Sequence, residues 1–81
     1  MRGSGMVDGF LLIIVKPNGA PQVYRHLANH AGISTIAPLY GEYDLLVQLT
    51  ADTYDSLGDL VLDIQRNESI GETKFLPTLT R

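Results

Sequence analysis

Three groups of residues carry side chains whose type and spacing could do chemistry. His26 and His30 are i and i+4, which puts both imidazoles on one face of a helix and can chelate a zinc ion. No third ligand is placed beside them by spacing. Arg25 and Asn29 next to them read as a solvated helix face, so neither a metal site nor an acid–base pair is assigned there. Gly41-Glu42-Tyr43-Asp44 is a short glycine-led segment between two extended stretches. Gly41 suits a positive φ, and the exposed N–H groups of such a turn can hold a carboxylate. Asp44 has two readings. It caps the turn, or it faces away from the helices and needs an ammonium group or the turn's own N–H donors as a partner. Thr73 shares a strand face with Phe75 and is otherwise an ordinary β-former. Tyr40 and Tyr43 could stack on a ligand, with core or interface packing the preferred reading. Cysteine is absent, which removes disulfides, thiolate metal sites and thiol nucleophiles. No serine lies in a nucleophile elbow and no glycine-rich segment forms a phosphate loop, so no catalytic residue, metal or cofactor is assigned.

The elements that must position these residues alternate in type. Residues 8–16 are an unbroken apolar, β-branched run closed by Pro17-Asn18-Gly19, which predicts a strand and a turn. Residues 20–31 predict a helix, with Pro21 in its first turn, Val23, Tyr24, Leu27, Ala28 and Ala31 at helical spacing, and Gly32 as the stop. Residues 33–40 read as a strand that Pro38 assigns to an edge or a bulge. Residues 44–50 alternate, with Leu45, Val47 and Leu49 on one face and Asp44, Leu46, Gln48 and Thr50 on the other. A second helix of roughly 14 residues starts from Asp52 as N-cap, with Asp55 in its first turn. Its buried face is Tyr54, Leu57, Leu60, Val61 and Ile64, with Gly58 packed closely on the sheet, and it ends at Arg66-Asn67. Residues 70–80 supply a last strand, distorted near Pro77. Residues 1–5 read as a cloning leader before a native start at Met6, leaving residues 6–81 as a single domain.

This order is βαββαβ, the ferredoxin-like α+β pattern: a four-stranded antiparallel sheet with both helices on one face. The first strand carries apolar residues on both sides, Phe10, Leu12 and Ile14 against Leu11, Ile13 and Val15. Leu46 joins the helix-free side. Such strands are normally covered on both faces, and 81 residues leave no third layer. A second copy stacked sheet to sheet is the expected cover. A formal charge of −3 and scattered Lys and Arg argue against direct binding of nucleic acid. The longest apolar run, from Phe10 to Val15, is too short to cross a membrane, and the chain reads as cytoplasmic.

The first strand FLLIIVKP, the helix ending near Ala31-Gly32-Ile33, the segment Tyr40-Gly41-Glu42-Tyr43-Asp44-Leu45-Leu46-Val47, and Ile70 followed by Thr73 together resemble one known pattern. It is the effector-binding (RAM) domain of the Lrp/AsnC transcription-regulator family, over about residues 7–80. The resemblance implies a ferredoxin-like domain that dimerises sheet to sheet into a dimeric α/β barrel and assembles further into tetramers of dimers. It implies an amino-acid effector bound near the Gly41, Glu42, Tyr43, Asp44 hairpin at subunit interfaces. By that resemblance, turn N–H groups would take the ligand carboxylate, Asp44 would take or indirectly position its ammonium, and Thr73 would add a polar contact. The chain departs from the family at Phe75, where a small polar residue is common and where a ring could shrink the pocket, and at Ser69, where glycine is common. With no room for a helix-turn-helix domain, the chain is expected to be a stand-alone module that senses an effector itself or pairs with full-length regulators. The alternatives are a small dimeric α/β-barrel enzyme resembling monooxygenases or isomerases, with His26 or His30 as acid–base groups, and an ACT-like regulatory domain.

Overall fold

The computed structural model describes residues 6–78; the leader read at residues 1–5 and the expected end of the last strand at Thr80 lie outside the described residues. The order is β1 (Val7–Val15), α1 (Ala20–Ala28), β2 (Ile33–Pro38), β3 (Leu45–Ala51), α2 (Tyr54–Gln65) and β4 (Ile70–Pro77). The strands form one sheet in the order β2-β3-β1-β4, antiparallel throughout. The expected ferredoxin-like architecture is therefore present. Among the described residues, no helix is long and apolar enough to cross a membrane.

β1 sits in the middle of the sheet because its unbroken apolar run can be covered on both edges and both faces. Leu11 and Ile13 are fully buried, together with Val47 and Leu49 of β3, Val23 and Leu27 of α1, and Leu57 and Ile64 of α2. These residues belong to one core cluster, which puts both helices on the same face of the sheet. The turn after β1 closes through Gly19 N–H donating to the Lys16 carbonyl at 2.9 Å, with Asn18 at a φ of 66°. Asparagine tolerates that left-handed conformation better than most residues.

Several boundaries differ from the sequence reading. α1 stops at Ala28 with Asn29 as C-cap, not at Ala31. Gly32 is not the helix stop; a Cβ there would lie 2.5 Å from Leu60 Cδ2, so this position is fixed by close approach of α2. β2 ends at Pro38 rather than residue 40, on the sheet edge as expected, although its irregularity lies between Ile33 and Thr35. β4 runs in register to Pro77, and the distortion falls at its other end, opposite Ile14 and Val15. α2 is 12 residues long, and its N-cap is Thr53, not Asp52. Thr53 Oγ1 accepts from the Ser56 amide at 3.1 Å, satisfying one of the free N–H groups of the first turn. Tyr54 is exposed rather than core, with its hydroxyl donating to the Thr78 carbonyl at 2.9 Å.

Two glycines play opposite roles. At Gly9 a Cβ would lie 2.7 Å from the Phe75 ring and 3.3 Å from Leu57, so the missing side chain admits the ring. At Gly58 a Cβ would meet nothing within 4 Å, which overturns the expectation that Gly58 packs on the sheet. Gly58→Ala should therefore stabilise the domain by about 0.5–1 kcal/mol through helix propensity alone. Gly9→Ala should destabilise it, by about 1–3 kcal/mol for an overpacked core. Thermal unfolding of the two variants beside the parent checks the opposite signs; a lowered midpoint for Gly58→Ala would mean that the glycine has a packing role after all.

Candidate functional site

The hairpin between β2 and β3 is built around Asp44. Leu39 N–H donates to the Asp44 carbonyl at 2.9 Å, and Asp44 N–H donates to the Ile13 carbonyl at 2.8 Å. The Asp44 carboxylate Oδ2 accepts from the Val15 amide at 2.8 Å. One residue thus closes its own hairpin and ties it to the end of β1. β3 starts only at Leu45, and the Asp44 carboxylate meets the end of β1 rather than an amide of its own turn. Gly41 takes a φ of 121°, which favours glycine, and a Cβ there would meet nothing within 4 Å. Among the described residues, the amides of Tyr40, Gly41, Glu42 and Tyr43 donate to no backbone carbonyl. Such a cluster of N–H donors suits an anionic group. Tyr40 and Glu42 are exposed and Tyr43 is half-buried, so Tyr40 is not a core residue.

Thr73 lies on the far side of β1 from the hairpin, opposite Ile13 in the β1–β4 register. The hairpin and Thr73 therefore bracket the same end of β1 from its two neighbouring strands. Thr73 follows the inward alternation of Ile13, on the helix side of the sheet. Its Oγ1 accepts from Gln65 Nε2 at 2.7 Å. Sequence spacing gave no sign of Gln65, because the contact joins the end of α2 to a neighbouring strand. Phe75 shares the Thr73 side, but its ring is committed to the core over Gly9.

The helix-free face carries Phe10, Leu12 and Ile14 of β1 as expected, all half-buried. Leu46 pairs opposite Leu12, Ala37 opposite Leu46, and Leu76 opposite Phe10. Ala37 and Leu76 extend the apolar stripe across the sheet, a breadth that needed the register to be seen. Lys74 and Glu72 continue it on the β4 edge with charge.

The histidines are half-buried on a helix face whose neighbours Arg25 and Asn29 are exposed, as expected. His30 Nε2 lies 2.8 Å from Asp63 Oδ2, linking the end of α1 to α2. The His26 and His30 ring centroids are 6.2 Å apart. His26 Nε2 and His30 Nδ1 are shielded from solvent and have no hydrogen-bond partner among the described residues. The hydrogen bond from His30 holds the Asp63 carboxyl below its ordinary value of 3.8, against an opposing push from desolvation. Asp63 drew no notice in the sequence, because the pairing crosses between two helices.

The hairpin geometry makes the Asp44 carboxylate the removable part. Asp44→Ala should leave the fold intact and cost about 1 kcal/mol, the net worth of one exposed hydrogen bond. Urea unfolding should show a lower midpoint with an unchanged slope. An unchanged midpoint would show that the carboxylate does not hold the hairpin to β1.

No protein-family model and no curated protein sequence matches the chain. Solved structures do. FFRP-DM1 superposes with a TM-score of 0.86 at 24% identity, over 90% of this chain and 99% of that one. AsnC of E. coli gives 0.85 at 21% identity, over 98% of this chain and 54% of AsnC. A Neisseria meningitidis transcriptional regulator, NMB0573, in complex with L-Met gives 0.77 at 16% identity, over 91% of this chain and 50% of the regulator. The chain thus spans nearly all of FFRP-DM1 but about half the length of the two larger proteins. At these identities the likeness establishes a shared fold: the βαββαβ domain of this chain is similar in its whole extent to FFRP-DM1 and to one part of AsnC.

Proposed function

We propose that this chain is an effector-binding and oligomerisation module of the Lrp/AsnC type, acting in the cytoplasm, and not an enzyme. The observation that carries this reading is the apolar stripe of Phe10, Leu12, Ile14, Leu46, Ala37 and Leu76 on the sheet face that no helix among the described residues covers. A second copy laid sheet to sheet covers it, and the stripe is continuous enough to form the core of such an interface. The fold shared with AsnC and with the methionine-bound regulator supports an amino acid as effector. The likeness to the transcriptional regulator NMB0573 supports regulation over the enzyme alternative.

In this reading the free amides of residues 40–43 receive the effector carboxylate, and Glu42 and Tyr43 flank it. Asp44 has its Oδ2 engaged by Val15, which leaves Oδ1 for the effector ammonium. Thr73 is the weakest member of the set, since its hydroxyl already accepts from Gln65. The dimer places a neighbouring subunit near each hairpin, and further pairing into tetramers of dimers, or with full-length regulators, encloses the ligand. An amino acid bound between subunits favours the assembly that holds it more tightly, by an amount set by the difference in affinity.

Native mass spectrometry of the chain, with and without the twenty amino acids pooled, tests both parts. The expected result is a dimer or a multiple of dimers that retains an amino acid or changes its distribution of assemblies. Leu12→Glu places a charge in the middle of the stripe and should give a folded monomer. A wild-type monomer would remove the sheet-to-sheet dimer, and a fixed dimer indifferent to every amino acid would remove the effector.

A further inference from the structure

β4 is one of the two edges of the sheet, and it carries an ordered pattern of charge. Thr78 N–H donates to the Asp8 carbonyl, which sets the phase of the ladder with β1. Leu76, Lys74 and Glu72 lie opposite Phe10, Leu12 and Ile14 and turn their backbone groups toward β1. The backbone groups of Thr73 and Phe75 therefore turn outward, in phase with Pro77, which has no N–H to offer. Such a row of free N–H and C=O groups is a template for another strand. Glu72 and Lys74 are both exposed, share the helix-free face, and form no ion pair among the described residues.

We propose that β4 is a self-complementary edge at which two copies of this chain pair antiparallel, about a two-fold axis at Thr73, and join their four-stranded sheets. Charges on an edge strand normally oppose pairing, and here their spacing selects one register. An antiparallel strand docks only with outward-turned residues opposite outward-turned residues. An axis at Lys74 sets that ammonium against its own copy. An axis at Phe75 sets Lys74 against Leu76 and Thr73 against Pro77, which lacks a donor. An axis at Thr73 sets Glu72 opposite Lys74 of the second copy and Lys74 opposite its Glu72, while Thr73 exchanges N–H and C=O with itself. Residues directly opposite in this way have Cβ atoms about 4.5–5.5 Å apart, within reach of an ion pair. The paired stretch leaves Phe10, Leu12, Ile14, Ala37 and Leu46 of the apolar stripe untouched. So short a pairing is marginal alone. The proposal therefore rests on the sheet-stacked dimer, which presents two such edges, and the edge joins dimer to dimer.

Sedimentation velocity of the full chain over a range of concentrations, at low and high salt, tests the edge. The expected result for the wild type is a dimer in equilibrium with larger multiples, with association between dimers weakened by salt. Glu72→Lys and Lys74→Glu each give an edge of one sign. Each should weaken association between dimers about tenfold or more and leave the dimer intact. Mixing the two variants sets a positive edge against a negative one and should restore association, as should combining both substitutions in one chain. A merely local effect of either substitution on β4 would not be reversed by mixing. A wild type that stays a dimer at every concentration would overturn the edge and leave the sheet-stacked dimer standing, whereas a wild-type monomer would overturn both. Single variants that associate as the wild type does, a mixture that restores nothing, or loss of the dimer itself in either variant would also overturn the pairing.

Discussion

Everything in this domain leans on β1. It has a hydrogen-bonded strand along each edge and apolar side chains on each face. Leu11 and Ile13 on the helix side contribute about 1.5–3 kcal/mol each when fully buried, and α2 packs across them. Phe10, Leu12 and Ile14 on the other side remain half-covered. One strand therefore sets both the internal core and the surface that calls for a second layer. A polar residue at any of the inward positions would break the core. One at the outward positions would alter only what the domain can associate with.

The end of β1 also decides where the candidate site lies. The register with β4 shifts between Ile14 and Val15. The last strand amide, on Val15, turns to the Asp44 carboxylate instead of continuing the ladder. The next residue, Lys16, donates to the Ser69 carbonyl at 2.7 Å, and the chain then leaves for α1. The hairpin is thus fastened to the most rigid strand of the sheet while its tip stays open. That combination suits a binding loop, because a rigid base lowers the ordering cost of a few exposed donors.

Periodicity made most of the fold legible. The alternation of Leu45, Val47 and Leu49, and the helical spacing of Leu57, Leu60, Val61 and Ile64, match the buried sets in the structure. Errors gathered at positions where tertiary contact outweighs local preference. Gly32 looks like a helix stop but answers to Leu60, and Asp52 looks like a cap although the neighbouring Thr53 has the geometry. Gly58 looks like a contact point and touches nothing. The hairpin was legible because its residues are consecutive. The partners Gln65 of Thr73 and Asp63 of His30 were not, since each lies on a different element and no spacing rule reaches across that gap. Helical phase placed the histidines at the half-exposed edge of α1, but it could not show that His30 reaches Asp63 of the second helix.

The central strand has neighbours that come late in the chain. β1 spans Val7–Val15, but its partners are Leu45–Ala51 and Ile70–Pro77. During synthesis this strongly apolar segment therefore emerges before both of its edges. The pairing of Gly9 with Pro77, closed by Thr78 N–H donating to the Asp8 carbonyl at 3.1 Å, joins the two ends of the described chain. Contacts of such sequence separation carry a high loop-closure cost and slow the search for the native state. A ribosome-bound chain that stops short of β4 leaves one flank of β1 as an open, hydrophobic β-template, the kind of edge on which chains aggregate. The interval in which β1 has no β4 beside it is therefore the stage at which this chain is most open to that hazard.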